Sequence, residues 1–300
     1  MKIKNIILLF ITAAVWGNAF VAQSVGMDLV GPFTFNGIRT LIGGIVLLPV
    51  IFVLNRGKKK DVLKKSDVKM LLKGGIFCGF ILATASSFQQ FGIMETSVGK
   101  TGFLTALYII FVPILSIFLK KRCSIFVWIG VLVALMGVYF LCMTESLSLG
   151  HGEILVLIGS VLFAVHILVI DYFAARVDGV KMACIQFFVA GFVCCILMVV
   201  FEKPSIMQII TAWKPILYAG AMSCGIGYTL QIVGQKGMNP TVAALILSLE
   251  SVVAVISGFL ILGQKLSYRE VFGCVLMFGA IVLAQIPAPK KEKERLWKRA

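Results

Sequence analysis

Charge is what this chain has least of. Of its 300 residues, 14% are charged, two are histidines and 60% are hydrophobic. Mean hydropathy is +1.02. So little charge over so many residues excludes an ordinary soluble domain and points to a polytopic membrane protein. The eight cysteines are scattered, most of them inside apolar runs, and none forms a CxxC pair. Neither a metal site nor a disulfide framework is expected. The chain also lacks HExxH, a paired Asp and a Ser–His or Ser–Lys dyad. An intramembrane enzyme is therefore not expected, and neither is a cofactor. Ser97-Val-Gly99-Lys100-Thr101 ends like a phosphate-binding loop, but Met94 stands where its first glycine belongs and no strand precedes it. The net charge of +15 does not imply nucleic acid, because the basic residues lie in short runs between apolar segments. Membrane orientation accounts for them.

Apolar runs long enough to span a bilayer recur along the whole chain. They are Ile6–Val25, Phe33–Leu54, Met70–Phe91, Thr101–Leu119, Ile125–Cys142, Gly152–Tyr172, Met182–Val200, Pro215–Val233, Thr241–Leu262 and Tyr268–Ile286. This reads as an all-α polytopic membrane protein with ten transmembrane helices. The first run follows Lys2 and Lys4 as in a signal peptide but continues to about Ala22 without a convincing cleavage site, so a retained helix is expected. With the N-terminus inside, most of the 28 Lys and Arg fall on the cytoplasmic side. They concentrate between Arg56 and Lys73, at Lys120–Arg122 and in the tail 288–300. The positive-inside rule then places both termini in the cytoplasm and the chain in the plasma membrane.

The chain also repeats. Phe103-Leu-Thr-Ala-Leu-Tyr108 and the basic turn Lys121-Arg122-Cys-Ser124 correspond to Ile246-Leu-Ser-Leu-Glu-Ser251 and Gln264-Lys-Leu-Ser267. Gly130 falls on Gly273, Arg39 opposite Gln186 and Leu107 opposite Glu250. This divides the chain into 1–143, 151–287 and the basic tail 288–300. Five helices per half is an odd number, so the halves insert as inverted repeats, an architecture that places a midplane site between them.

Glu250 is a carboxyl group near the middle of an apolar run. Such a group is costly unless it faces protein or water, and is a functional candidate by default. On a continuous helix it would share a small or polar face with Ala243, Leu247, Ala254 and Ser257. It is either a structural hydrogen-bonding group or a substrate and proton-coupling site. Arg39 either snorkels outward or pairs with a substrate carboxylate or with Glu250. Trp16, Phe20 and Gln23 share one face, fit for a pocket wall or for packing. Thr101, Thr105 and Tyr108 line another, and Pro113 is expected to break that helix by freeing the carbonyl of Ile109. Ser86 and Gln90, with Gln89 beside them, and the stripe Ser223, Gly227, Gln231 line a path or glue helices together. His166 is a packing histidine or a proton acceptor.

Val15-Trp16-Gly17-Asn18-Ala19-Phe20, Arg39, Gln90-Phe-Gly-Ile-Met-Glu-Thr-Ser97, Phe103–Pro113, Ser248-Leu-Glu250-Ser251-Val252 and Gly263-Gln264-Lys265-Leu266-Ser267 occur in that order. Together they resemble the drug/metabolite transporter superfamily, EamA type, over essentially the whole chain. Ser251 stands where the family pattern has proline, and Gln264 where it has glutamate. The resemblance implies a secondary transporter of small organic solutes such as amino acids or related metabolites, with export as the family tendency. A proton-coupled multidrug exporter and a non-transporting sensor or scaffold are the alternatives. The candidate binding residues are Trp16, Asn18, Arg39, Gln90, Tyr108, His166, Gln186, Gln231, Glu250 and Ser251, with Glu250 also the proton-coupling candidate. The expected partners are a small solute, the bilayer and protons, without nucleic acid, and the chain is expected to be a monomer or weak homodimer. A reporter fused after Ala300 is expected to read cytoplasmic; a reading from the opposite side overturns both the topology and the odd-numbered repeat.

Overall fold

The computed structural model describes residues 3–56, 65–96, 98–119, 124–142, 150–253, 256, 267–284 and 286. Among them no strand occurs, and seven helices are long and apolar enough to cross a bilayer. A helical segment stands at each of the ten expected runs. These are α1 (Ile3–Met27), α2 (Pro32–Asn55), α3 (Lys65–Glu95), α4 in two pieces (Val98–Ala106 and Tyr108–Phe118) and α5 (Ile125–Cys142). Then come α6 (His151–Ala174), α7 (Gly179–Glu202), α8 (Trp213–Gln235), α9 (Pro240–Val253) and α10 (Tyr268–Ala284). The helix Ile206–Thr211 precedes α8, capped at its start by the Ser205 hydroxyl and the Gln208 side chain.

Helix ends are set by local chemistry. Pro32 begins α2, where a missing N–H costs nothing. Across the chain, the Glu202 carboxylate accepts from the backbone N–H groups of Phe33 and Thr34, each at 2.7 Å, and from the Thr34 hydroxyl at 2.6 Å. The end of α7 thus caps α2, satisfying donors that would otherwise be orphaned. Asp178 caps α7 through Val180 and Lys181, Asn239 caps α9 through Thr241, and Glu153 accepts from the Gly150 N–H at the start of α6. Glu153 also takes the Thr96 hydroxyl at 2.9 Å and Lys100 at 3.5 Å, tying the α3–α4 turn to α6.

Two interruptions differ from expectation. The fourth run breaks at Leu107, not at Pro113, which sits inside the helix Tyr108–Phe118. Upstream of the proline the chain tightens into i→i−3 bonds, Leu107 N–H to Leu104 and Ile110 N–H to Leu107. The break thus lies two residues before Ile109, whose carbonyl the proline ring frees. The ninth run is not one continuous helix either. It pauses after Leu247, where the Ser248 hydroxyl turns back to the Leu245 carbonyl at 2.8 Å and Leu249 bonds to Ile246. A serine that bonds its own backbone competes with the helical ladder, so this helix is interrupted with no proline in the break. Glu250 opens a new helical segment and does not lie on a straight face below Ala243 and Leu247. Ala254, Ser257, Gln264 and the tail 288–300 lie outside the described residues.

The strongest packing pairs α5 with α10, α3 with α6, α2 with α7 and α3 with α7. Helices α1 and α2 both lie on α8, and α4 touches α6 and α9. The α2–α8 contact is backbone against backbone. A Cβ added at Gly220 would lie 2.8 Å from the Arg39 carbonyl and 2.7 Å from Ile42 Cβ; one added at Gly43 would lie 2.6 Å from Cys224 Cβ. Small residues allow this approach, which brings the cavity-facing side of α2 against α8. Gly220→Val is expected to destabilise the protein by about 1–3 kcal/mol, read as a lowered melting temperature in detergent. Gly279→Val, with nothing within 4 Å of the added Cβ, is expected to be silent.

Candidate functional site

A cavity within the bundle takes its walls from α1, α2, α3, α4, α6, α8 and α9. Its aromatic wall is Trp16 on Tyr228, ring centroids 4.5 Å apart, with the edge of His166 on Tyr228 at 6.0 Å. The Trp16 indole N–H donates to the Ser223 carbonyl at 3.3 Å. That carbonyl belongs to a π-helical stretch of α8, Tyr218–Tyr228, whose wider winding departs from the α-helical hydrogen-bond ladder. Gly227 leaves room for the indole, since a Cβ there would lie 2.6 Å from its nitrogen.

In this cavity the two interruptions meet. Tyr108, the first residue after the break in α4, donates its hydroxyl to Glu250 Oε1 at 3.2 Å. Both residues are buried and both line the cavity. Near them Gln89 donates to the Thr105 hydroxyl at 3.0 Å, and the Ser160 hydroxyl donates to the Thr105 carbonyl at 2.9 Å. Ser160 thereby satisfies a carbonyl two residues before the α4 break at Leu107.

Arg39 lines the same cavity and does not snorkel; it is 3% exposed. Its guanidinium stands 5.4 Å from the Phe35 ring centroid, and its Nε has no partner. The alternative pairing with Glu250 is not present among the described residues. Gln23 and Gln231 also line the space, each with an unpartnered Oε1. Among the described residues no cluster of His, Cys, Asp or Glu could hold a metal.

Of the sequence candidates, Trp16, Arg39, Tyr108, His166, Gln231 and Glu250 share this cavity. Asn18 does not: it lies about 200° around α1 from Trp16 and donates to its own helix at the Ala14 carbonyl, 2.9 Å away. Gln186 stands behind the site, its Oε1 3.2 Å from His166 Nε2. Gln90 and Ser251 are buried away from the cavity lining, one residue round their helices from Gln89 and Glu250. Tyr228, Phe163 and Ile167 are lining residues that sequence reasoning missed. The stripe Ser223, Gly227, Gln231 assumed α-helical spacing, whereas Tyr218–Tyr228 winds as a π-helix and Tyr228 joins Ser223 and Gln231 on the cavity wall.

The model of the EamA-like transporter family matches residues 3–143 and again 150–285. This chain belongs to the EamA-like transporter family. An uncharacterized transporter of Archaeoglobus fulgidus is 28% identical over 286 residues, covering 93% of this chain and 84% of the relative. The uncharacterized transporter YoaV of Bacillus subtilis is 23% identical over 277 residues, covering 90% and 92%. A solved crystal structure superposes with a TM-score of 0.77 at 18% identity, covering 95% of this chain and 98% of the other, and shares the fold. With its apolar helices, the EamA-like chain is a multi-pass membrane transporter.

Proposed function

We propose that this EamA-like chain is a secondary transporter that moves small organic solutes, amino acids or related metabolites among them, by alternating access between two inverted five-helix repeats. Helix pairing supports the repeats. Exchanging the first five helices with the last five turns α3–α6 into α8–α1, α3–α7 into α8–α2 and α4–α6 into α9–α1, all present. It leaves α2–α7, α4–α9 and α5–α10 unchanged. The cavity draws its walls from both halves, as a midplane site between repeats would. The chain would sit in the plasma membrane with both termini cytoplasmic, and export is the direction its resemblance to the family favours.

The observation that carries the mechanism is the Tyr108–Glu250 hydrogen bond. It joins the two interrupted helices, one from each half, at the one carboxyl group that lines the cavity among the described residues. Rocking of one half against the other changes this contact first. A carboxyl that gains and loses a proton there couples the movement to a proton gradient, with no need for ATP.

Purified protein in liposomes, assayed for flux over a metabolite panel with and without a pH gradient, tests the reading. Wild-type protein is expected to move at least one solute without ATP and faster with the gradient. Glu250→Gln, of equal size, is expected to fold and to lose the pH dependence. Wild-type rates and pH response in a folded Glu250→Gln would make Glu250 a packing residue. A panel with no solute moved would remove the transport reading.

A further inference from the structure

Among the described residues Arg39 is the one Lys or Arg side chain lining the cavity, and it is in an unusual state. It is buried, yet among the described residues it makes no ion pair and no hydrogen bond. Arginines held for structure spend their donor fork on carbonyls or carboxylates, because an unpaired buried charge is strongly destabilising. Here the compensation is the face of Phe35 at 5.4 Å, a weak interaction beside a charge-assisted hydrogen bond. Glu250, the lining residue of opposite sign, is engaged with Tyr108.

We propose that Arg39 is the anion-binding subsite of this cavity and takes the carboxylate of the transported solute. The planar guanidinium fork matches a carboxylate in two parallel hydrogen bonds. A monoanion balances one cation, whereas a phosphate dianion would need a second, and the remaining titratable lining groups are Tyr108, His166, Tyr228 and Glu250. The aromatic wall of Trp16, Tyr228, Phe20 and Phe163 receives the apolar body of the solute. The class is therefore an organic acid or zwitterion with an apolar side, and purely cationic drugs are disfavoured by like charge.

This inference rests on the transport reading only for the word "transported", and binding tests it separately. The full chain in detergent is titrated with matched pairs: 3-phenylpropionate and 3-phenylpropionamide, 4-methylvalerate and 4-methylvaleramide, N-acetylphenylalanine and its amide. Binding is followed by thermal stabilisation and Trp fluorescence. At least one acid is expected to bind wild type about ten-fold or more tighter than its amide. Arg39→Gln is expected to abolish that difference, and Arg39→Lys, which keeps the charge but not the fork, to retain part of it. Equal binding of acid and amide, discrimination that survives in Arg39→Gln, or no stabilisation by any acid would overturn the proposal. Should Arg39→Gln fail to fold, wild type and Arg39→Lys still decide: the proposal requires an acid preference that Lys weakens. Acid-selective binding without flux supports the subsite and removes the transport reading. Flux of solutes indifferent to the carboxylate does the reverse.

Discussion

A backbone that leaves helical geometry inside a bilayer must find its hydrogen bonds in protein or in a water-filled space, because lipid offers none. That constraint governs where α4 and α9 are allowed to pause. The pause at Leu107 is partly buried and the one at Ser248–Leu249 is buried, and both keep their bonds local through i→i−3 closures. Ser160 and Ser248 supply hydroxyls to the carbonyls of Thr105 and Leu245. The side chains that follow, Tyr108 and Glu250, are thereby aimed at each other and into the cavity. The site is a consequence of two helices being unable to continue straight.

Close packing around that centre depends on small residues, not on area alone. Between helices lipid provides no hydrophobic drive, so backbones that approach closely gain most. The Gly43 and Gly220 contact sets α2 on α8, and Gly227 seats the indole of Trp16. These contacts hold Arg39, Tyr228 and Trp16 around one space while each comes from a different helix. The Glu202 cap on α2 and the Glu153 contacts with Thr96 and Lys100 fasten the same end of the bundle.

The chemistry of the cavity is divided. One side is aromatic and closed by ring contacts; the other carries a cation, an acid and amides whose oxygens lack partners. Such division suits a solute with an apolar face and a polar head, and orphaned buried polar groups are least costly where a ligand or water meets them. Family membership agrees with a transporter and is silent on the solute.

Composition, hydropathy and the spacing of basic runs were enough to determine an all-helical membrane chain and the places of its helices, because bilayer thickness sets a length that any apolar run must meet. Glu250, Arg39, Tyr108 and Trp16 stood out for the same reason: polar or bulky groups in apolar runs are conspicuous. Tertiary structure decided the rest. Periodicity assumes one winding, so it could not anticipate the π turn that brings Tyr228 onto the cavity, or the break at Leu107 upstream of Pro113. Neighbouring glutamines look equivalent in a sequence, but a rotation of about 100° per residue puts Gln89 in the cavity and Gln90 outside it. Whether Arg39 pairs with Glu250 was likewise decided by packing: Glu250 takes the Tyr108 hydroxyl, and among the described residues no ion pair joins it to Arg39.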